Sequence, residues 1–434
     1  MKPTTPITVT LSRIIGGGQA IGTLENGKKV MAWGGLPGEI VEVAVTKKKS
    51  HYLEGVVENV LTASEERIAP RDPDSYLSTS PWQIMKFDAE QHYKSALIEE
   101  AFELHDIVLP QPITVFTDGH EYEYRNKIEY SFWFDTETEK LSLAFFRRGT
   151  HGKIAVESTS LASPAISALS KVIIEVLNER HMSGRDLKTV MIRSNASGEV
   201  AWQLYVKNEE VEADAIIQAV ESRHASVRAE VIYSSPKSPA SVITKRLASS
   251  SENSLSDTIL DVPFRYATEG FFQINLPVYE QALKDMKQWV VDDTPVVDLY
   301  SGVGTIGLTI GGDDVTLVEL NQHAVKEMKQ NIYALGRKGS AKAILAASEQ
   351  ALEYITAEAT IIVDPPRAGL HEDVIDRLLE VKPSRIIYLS CNPATQARDV
   401  MRLAEVYGIR HHQGYNFFPR TPHIEHLVVL DKKL

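Results

Sequence analysis

The sequence predicts a multidomain protein with an N-terminal β-barrel, an α+β central domain and a C-terminal α/β domain built on a doubly wound sheet. Three observations predict this fold class. Short alternating runs separated by glycine turns fill residues 3–62, strands and helices mix over 121–262, and buried strands alternate regularly with helices from 266. A chain of 434 residues is long enough for two or three domains. The predicted domains are residues 1–62, 63–265 and 266–434.

Composition excludes several classes of protein. The chain is 43% hydrophobic and 24% charged, which is ordinary for a soluble protein with real cores. A net charge of -12 argues against indiscriminate nucleic-acid binding, although it leaves room for a local basic face. One cysteine excludes an internal disulfide framework and any cysteine-ligated zinc or iron–sulfur site. No apolar run reaches the ~18 residues of a membrane span, so we expect a cytoplasmic protein.

The first 62 residues predict a five-stranded barrel of the oligonucleotide-binding type. Asn26-Gly27 marks a hairpin turn between two of its strands. Basic residues outnumber acidic ones in this segment of an otherwise acidic chain. The run Lys47–Lys49 is either a solvated hairpin tip or, on a barrel of this type, a contact to a nucleic-acid backbone. The basic residues are Lys2, Arg13, Lys28, Lys29, Lys47, Lys48 and Lys49.

The central region begins with a polar, turn-rich linker over 64–82. Residues 86–117 include a helix with an apolar face, and we consider them a candidate to pack on the C-terminal domain. Beyond residue 121, cations alternate with aromatic residues. This mixture suits either a splayed single strand of nucleic acid or a cross-strand core with charged outer faces. The residues are Arg125, Lys127, Arg147, Arg148, His151 and Lys153, with Tyr122, Tyr124, Phe132, Trp133, Phe145 and Phe146.

The C-terminal pattern predicts a Rossmann-like, nucleoside-binding sheet. A buried strand ends near Asp298, and the turn that follows it contains Gly302 and Gly304. Glu319 lies 21 positions after Asp298, where an acid is placed to hold a ribose hydroxyl pair.

Two kinds of cofactor must be considered for this glycine turn. The segment 302–307 satisfies the G-x-G-x-x-G pattern of nicotinamide cofactors, but Asp298 would repel a pyrophosphate. S-adenosylmethionine carries an ammonium and a sulfonium instead, so an acidic site suits it better. The segment Asp364-Pro365-Pro366 ends a later strand, because two consecutive prolines cannot continue the hydrogen bonding of a β-sheet. We expect the turn to leave Asp364 beside the cofactor.

The single cysteine, Cys391, ends the apolar run of residues 385–390 just before Asn392-Pro393 opens a helix. This position places its sulfur at the carboxyl edge of the sheet, where α/β proteins bind ligands. We expect the helix N-terminus to favour the thiolate. The alternative for a lone cysteine is a small buried hydrophobe.

A cysteine here points to methylation of carbon 5 of a pyrimidine, because oxygen and nitrogen methylation need none. A thiolate that adds to carbon 6 makes carbon 5 nucleophilic. A base must then remove the carbon-5 proton. The candidate base is Glu425, which lies just before the last predicted strand. The alternative interpretation of Glu425 is an ordinary surface residue of that strand.

These motifs together resemble the RNA 5-methyluridine methyltransferase family over nearly the whole chain. The resemblance includes a TRAM-like barrel and rests on the segments 124–127, 270–275, 298–308, 364–370, 390–399 and 423–425. It implies that Cys391 is the nucleophile and Glu425 the base. It also implies an S-adenosylmethionine site, in which Thr305 replaces an asparagine common in relatives. The implied cofactor residues are Gln273, Tyr300, Thr305, Glu319 and Asp364.

Many relatives in this family carry a four-cysteine iron–sulfur cluster in the central domain. The corresponding region, 72–82, has no cysteine, and none lies near Thr159. We therefore predict that the cluster is absent. We expect packing around Tyr76, Trp82 and Ile84 to replace it.

The predicted function is S-adenosylmethionine-dependent methylation of a uridine carbon 5 in transfer RNA or in ribosomal RNA of the 23S type. We expect a monomer whose barrel and central domain hold the RNA while the target base flips out of its stack. Two alternatives remain open. One is an RNA-binding or assembly factor that keeps the fold without chemistry, and the other is an amino-group methyltransferase that uses the Asp364 corner.

Overall fold

The structure is a computed structural model that describes residues 6–150 and 152–433, so Lys2 and His151 lie outside the described residues. The chain forms two compact units. The first contains the residues up to Glu90 together with His120–Leu255, and the second contains Gln91–Gly119 and Ser256–Leu434. The three-domain division stays a prediction.

The first unit begins with a closed barrel of five strands in the order β1-β2-β3-β5-β4, which confirms the predicted barrel. Alternate residues of β1 and β4 point inward, so that Val9, Leu11, Val41 and Val43 form its core. Gly27 adopts a positive φ in the turn between β2 and β3. The strands are β1 Ile7–Ile14, β2 Ala20–Thr23, β3 Lys29–Trp33, β4 Ile40–Lys48 and β5 Tyr52–Thr62.

The chain then crosses into the second unit and returns. This stretch contains helix α1 (Tyr76–Thr79), helix α2 (Phe87–Glu103) and the short strand β6 (Val115–Phe116). Most of α2 and all of β6 belong to the second unit.

The rest of the first unit is a seven-stranded sheet in the order β13-β12-β11-β10-β7-β8-β9. Two helices, α3 and α4, pack their apolar faces on it around Trp202 and Leu204. The elements are β7 Lys127–Asp135, β8 Lys140–Phe146, β9 Lys153–Val156, α3 Pro164–Glu179, β10 Leu187–Ser194, β11 Val200–Val206, α4 Ala213–Glu221, β12 Arg228–Tyr233 and β13 Lys245–Ser249.

A group of hydrogen-bonded side chains around Asp72, here called the Asp72 cluster, joins two segments of the chain. These are the segments in which relatives of the predicted family would carry the cysteine ligands of the iron–sulfur cluster. The Asp72 carboxylate accepts hydrogen bonds from the Ser160 hydroxyl at 2.8 Å, the Gln83 amide at 3.0 Å and the Thr159 hydroxyl at 3.2 Å. Close by, Trp82 is buried and donates its indole N–H to the carbonyl of Gly18 in the barrel. Polar contacts thus accompany the packing that the sequence predicts here.

The second unit is built on an eight-stranded sheet in the order β18-β17-β16-β19-β20-β22-β21-β6, beside a small β14-β15 pair. Strands β16 to β20 pair in parallel, whereas β22 runs antiparallel to β20. The elements are β14 Leu255–Ile259, β15 Val262–Tyr266, α5 Leu276–Lys287, β16 Val296–Leu299, α6 Thr305–Ile310, β17 Val315–Glu319, α7 Gln322–Ala334, β18 Ala341–Leu345, β19 Thr360–Val363, α8 Glu372–Val381, β20 Arg385–Ser390, α9 Pro393–Leu403, β21 Tyr407–Tyr415 and β22 Glu425–Lys432.

Among the residues that the structure describes, no helix is long and apolar enough to cross a membrane. Within residues 6–150 and 152–433, no group of three or more His, Cys, Asp or Glu side chains is arranged to hold a metal ion.

Candidate active site

Five predicted site residues lie at one edge of the eight-stranded sheet. Parallel strands end at a common edge, and β22, which runs the opposite way, begins there. The residues at this edge are Tyr300 after β16, Glu319 at the end of β17, Asp364 after β19, Cys391 after β20 and Glu425 at the start of β22.

Cys391 and Glu425 lie on neighbouring strands. The last registered pair of β20 and β22 is Ser390 with His426, and Cys391 and Glu425 are each one residue beyond it. Directly opposite residues of antiparallel strands have Cα atoms roughly 5 Å apart. The thiol is half-buried and the Glu425 side chain is 5% exposed. The two groups are close enough for the charge of Glu425 to shift the pKa of the thiol.

The turn after Cys391 is fixed to the loop that follows β19. The Asn392 amide and the Thr395 hydroxyl both donate to the carbonyl of Arg367, at 2.8 and 3.2 Å. Further along α9, the buried carboxylate of Asp399 accepts from the backbone N–H of Leu370 and from the Tyr388 hydroxyl, each at 2.8 Å. These bonds hold the two loops that carry Asp364 and Cys391 in one arrangement.

The surroundings of Cys391 oppose the thiolate, and the prediction that a helix N-terminus favours it is wrong here. Burial raises the pKa of the Cys391 thiol to about 11, and the charges of Glu425 and Asp364 add to this effect. The Arg367 guanidinium lowers that pKa but does not compensate. Pro393 at the first position of α9 also supplies no N–H there.

The carboxyl groups at this edge are harder to ionise than usual. Burial raises the pKa of Asp364 to about 7. Burial also raises the pKa of Glu425 well above its usual value, the charge of Asp364 adds to this shift, and the Arg367 guanidinium opposes it. A cation placed among these groups would lower each of these pKa values.

Glu319 lies beside the glycine turn. Its carboxylate accepts from the backbone N–H groups of Gly302, at 2.9 Å, and Asn321, at 2.7 Å. Gly302 has a φ of +58°, and a Cβ there would meet nothing within 4 Å, so there is open space beside the turn. A carboxylate has lone pairs for further donors, such as ribose hydroxyls.

Asp298 is fully buried under the same turn. Its Oδ2 accepts from the Gly307 N–H at 2.9 Å, whereas Oδ1 has no hydrogen-bond partner among the residues that the structure describes. Burial raises the pKa of this carboxyl to about 8, and the charges of Asp364 and Glu319 contribute. An uncompensated buried acid of this kind suits a positively charged ligand.

The two other predicted cofactor residues, Thr305 and Gln273, belong to the second unit. The Thr305 hydroxyl, at the start of α6, is 2.7 Å from that of Tyr279 on α5. Gln273 is 9% exposed in the loop that leads to α5. Tyr300 has a φ of +64°, an uncommon conformation for a bulky residue that is typical of functional sites.

Sequence reasoning did not assign a site role to Arg367. Its guanidinium lowers the pKa of both Cys391 and Glu425, and its Nη2 is 3.3 Å from Nδ1 of His423. Its place in the segment 364–370, directly after Pro366, was the available signal.

Comparisons with known proteins show which family this chain belongs to. A family model described as tRNA (uracil-5-)-methyltransferase matches residues 87–433, and a TRAM domain model matches residues 5–57. An uncharacterized RNA methyltransferase of Fusobacterium nucleatum is 27% identical over 100% of this chain and 97% of its own length. Another, from Enterococcus faecalis, is 28% identical over 92% of this chain and 91% of its own length.

Among solved structures, the Pyrococcus abyssi tRNA (uracil-54, C5)-methyltransferase in complex with S-adenosyl-L-homocysteine matches with a TM-score of 0.78. It is 20% identical, and the match covers 98% of this chain and all of the other. At this identity the likeness shows a shared fold. The family model spans most of the sequence, and the chain therefore belongs to the tRNA (uracil-5-)-methyltransferase family, a family of RNA methyltransferases.

Proposed function

We propose that this protein methylates carbon 5 of a uridine in transfer or ribosomal RNA, with S-adenosylmethionine as methyl donor, Cys391 as nucleophile and Glu425 as base. The observation that carries the proposal is the placement of Cys391 and Glu425 one residue beyond the last registered pair of β20 and β22. Two such groups can act on a single base inserted at this edge.

The residues present fit S-adenosylmethionine. When bound, this cofactor supplies an electrophilic methyl group on a sulfonium sulfur, and it carries an ammonium as well. The unpartnered Oδ1 of Asp298 and the raised pKa values of Asp298 and Asp364 are what a site for a cation would show. Glu319 would hold the ribose hydroxyls, and Gln273, Tyr300, Thr305 and Asp364 would line the rest of the site.

The proposed reaction begins at the thiol. Cys391 loses its proton and Sγ bonds to carbon 6, which moves the electrons of the ring double bond onto carbon 5 as an enolate. Carbon 5 then bonds to the methyl group while the bond from that methyl group to the sulfonium sulfur breaks, and its electron pair stays on the sulfur, which becomes a neutral thioether. Glu425 takes the remaining proton from carbon 5, the double bond re-forms, and the C6–Sγ bond breaks to release the thiolate. One proton is released overall.

The first unit is proposed to hold the RNA. Its barrel carries exposed lysines at the tip between β4 and β5, and Trp133 and Phe146 expose 45% and 59% of their surfaces on the larger sheet. Cations bind phosphates and exposed rings stack on unpaired bases. A uridine in folded RNA must leave its stack to reach Cys391.

The test is Cys391→Ala with methyl-labelled S-adenosylmethionine and total RNA from cells that lack the gene. We expect the wild type to form 5-methyluridine and the variant to incorporate no label, while the variant still binds the cofactor in equilibrium dialysis and melts normally. N-methylated bases formed by the variant would establish the amino-group reaction instead. A wild type that neither binds the cofactor nor labels RNA would support an assembly factor. Separating the labelled RNA by size distinguishes transfer from ribosomal RNA.

A further inference from the structure

A buried lysine on α2 contacts the loop that leads to Glu425. Lys94 is fully buried, and its Nζ donates to Oδ1 of Asn416 at 2.5 Å and to the carbonyl of Phe418 at 3.1 Å. These residues lie in the loop 416–424, which connects β21 to β22. Burying an ammonium group is costly unless it is well hydrogen-bonded. The hydrogen bonds to Asn416 and Phe418 therefore determine where the Lys94 side chain lies.

The contact continues along the loop toward Glu425. The carbonyl of Phe418 also accepts from the Thr421 hydroxyl at 2.7 Å. The same hydroxyl accepts from the backbone N–H of His423 at 3.3 Å. An unbroken series of hydrogen bonds therefore runs from Lys94 to a residue two positions before Glu425.

The loop also holds a backbone conformation that needs support. Arg420 has a φ of +66° and is 2% exposed. This conformation is unfavourable for a residue other than glycine, and it persists where the surrounding contacts determine it. The bonds from Lys94 to Asn416 and Phe418 lie just before Arg420 and constrain the chain there.

We propose that Lys94 is a positioning residue that sets the place of the Glu425 carboxylate. The inference rests on the proposed function, in which Glu425 takes the carbon-5 proton. A base must lie within hydrogen-bond reach of its proton, and a misplacement of about 1 Å can cost about 100-fold in rate. Without Lys94, the steps up to methyl transfer should proceed while release of the sulfur slows.

The test compares Lys94→Met with Lys284→Met, a control on the exposed side of α5. Each variant receives S-adenosylmethionine and total RNA from cells that lack the gene, grown with or without 5-fluorouracil. Fluorine at carbon 5 leaves no proton to remove, so the covalent adduct accumulates whatever Glu425 does. Denaturing gels measure the adduct and labelled 5-methyluridine measures the product.

We expect Lys94→Met to trap fluorinated RNA at the wild-type rate. On ordinary RNA it should accumulate adduct and form 5-methyluridine at least about tenfold more slowly. The Thr421→Val variant, which removes the next hydroxyl in the series, should behave in the same way. Lys284→Met should match the wild type.

An equal loss of adduct on both RNAs and of product would show that Lys94 serves only the fold or RNA binding, and would overturn the inference. Glu425→Gln separates this failure from that of the proposed function. If Glu425→Gln accumulates adduct on ordinary RNA but Lys94→Met and Thr421→Val do not, only the role of Lys94 is wrong. If Glu425→Gln forms no adduct, the proposed role of Glu425 fails.

Discussion

Cys391 must become a thiolate for the proposed reaction, yet the protein around it favours the thiol. Burial and the carboxylates of Glu425 and Asp364 raise the pKa of the thiol to about 11, against the effect of Arg367. A sulfonium bound at the same edge would act in the same direction as Arg367. In the proposed reaction this arrangement makes the nucleophile weak until the methyl donor is present, which protects the half-buried thiol from unrelated chemistry.

The rate at which iodoacetamide alkylates Cys391 reports how much of its thiol is ionised. Because the chain has one cysteine, the label reports this thiol alone. With a pKa of about 11, the rate should still rise about tenfold per pH unit between pH 8 and pH 9.5. Asp364→Asn should raise the rate at pH 8 and Arg367→Gln should lower it. Mass spectrometry of the labelled protein gives these rates.

A short peptide with blocked termini and a single cysteine provides the control for this measurement. Its rate should level off above a pH of about 8.5, the ordinary pKa of a cysteine thiol in a peptide. A Cys391 rate that levels off at the same pH would contradict the environment described for it. S-adenosylmethionine should accelerate alkylation more than S-adenosylhomocysteine does, because only the former carries the sulfonium charge.

Asp298 gives a prediction for stability against pH. The pKa of its carboxyl is about 8 in the folded chain and 3.8 when unperturbed, so between these values the folded state binds more protons than the unfolded state. Stability therefore falls as the pH rises through this window. In Asp298→Asn this fall should be shallower by about 1.4 kcal/mol per pH unit, measured by urea unfolding from pH 5 to 8. Parallel curves for the two proteins would refute the buried, protonated acid.

Among the elements, the Asp72 cluster joins the segment after the barrel to the loop between β9 and α3. Replacing Asp72 by Ala removes the acceptor that the Gln83 amide and the hydroxyls of Thr159 and Ser160 share. We expect a loss of about 2 kcal/mol in the free energy of unfolding. The exposed neighbour Asp74→Ala should change it by less than about 0.5 kcal/mol. If Asp72→Ala and Asp74→Ala changed the free energy of unfolding equally, the hydrogen bonds of Asp72 would not stabilise this region and packing alone would do so.

Elements with a strong local pattern were predictable. The apolar runs that become β16, β17, β19 and β20 were recognised because strands buried on both faces are continuously hydrophobic. Strand β21 was not predicted, because His411, His412 and Gln413 interrupt the apolar pattern and pairing with β22 decides its structure. The two-residue β6 was not predicted either, because it depends on its pairing with β21. The sequence pattern of residues 121–135 predicts one strand over the whole segment, but strand β7 begins only at Lys127.

The positions of the candidate site residues in the fold were predictable from the sequence, but their electrostatics were not. Cys391, Asp364 and Glu425 stand at strand ends, which sequence patterns reveal. The raised pKa of Cys391 and the role of Arg367 depend on which loops meet at the sheet edge. The contact between Lys94 and Phe418 joins residues more than 300 positions apart, which no local pattern contains.

At the scale of the whole molecule, the acidic chain must still bind a polyanion. In the proposed function the first unit supplies the cations, and Lys48 and Lys49 are exposed at the barrel tip. Lys48→Gln with Lys49→Gln should lower the slope of log affinity against log salt by about 1 to 2. Filter binding with total RNA measures this slope. Lys140→Gln with Lys171→Gln, two exposed lysines of the same unit, should leave it unchanged, and a similar drop in both pairs would argue against a barrel contact.

Mass spectrometry of the adduct that Glu425→Gln forms with RNA and S-adenosylmethionine tests the covalent mechanism directly. After digestion with protease and nuclease, we expect the peptide that contains Cys391 to carry a methylated uridine nucleotide on its sulfur. An unmodified Cys391 peptide alongside newly methylated RNA would contradict it.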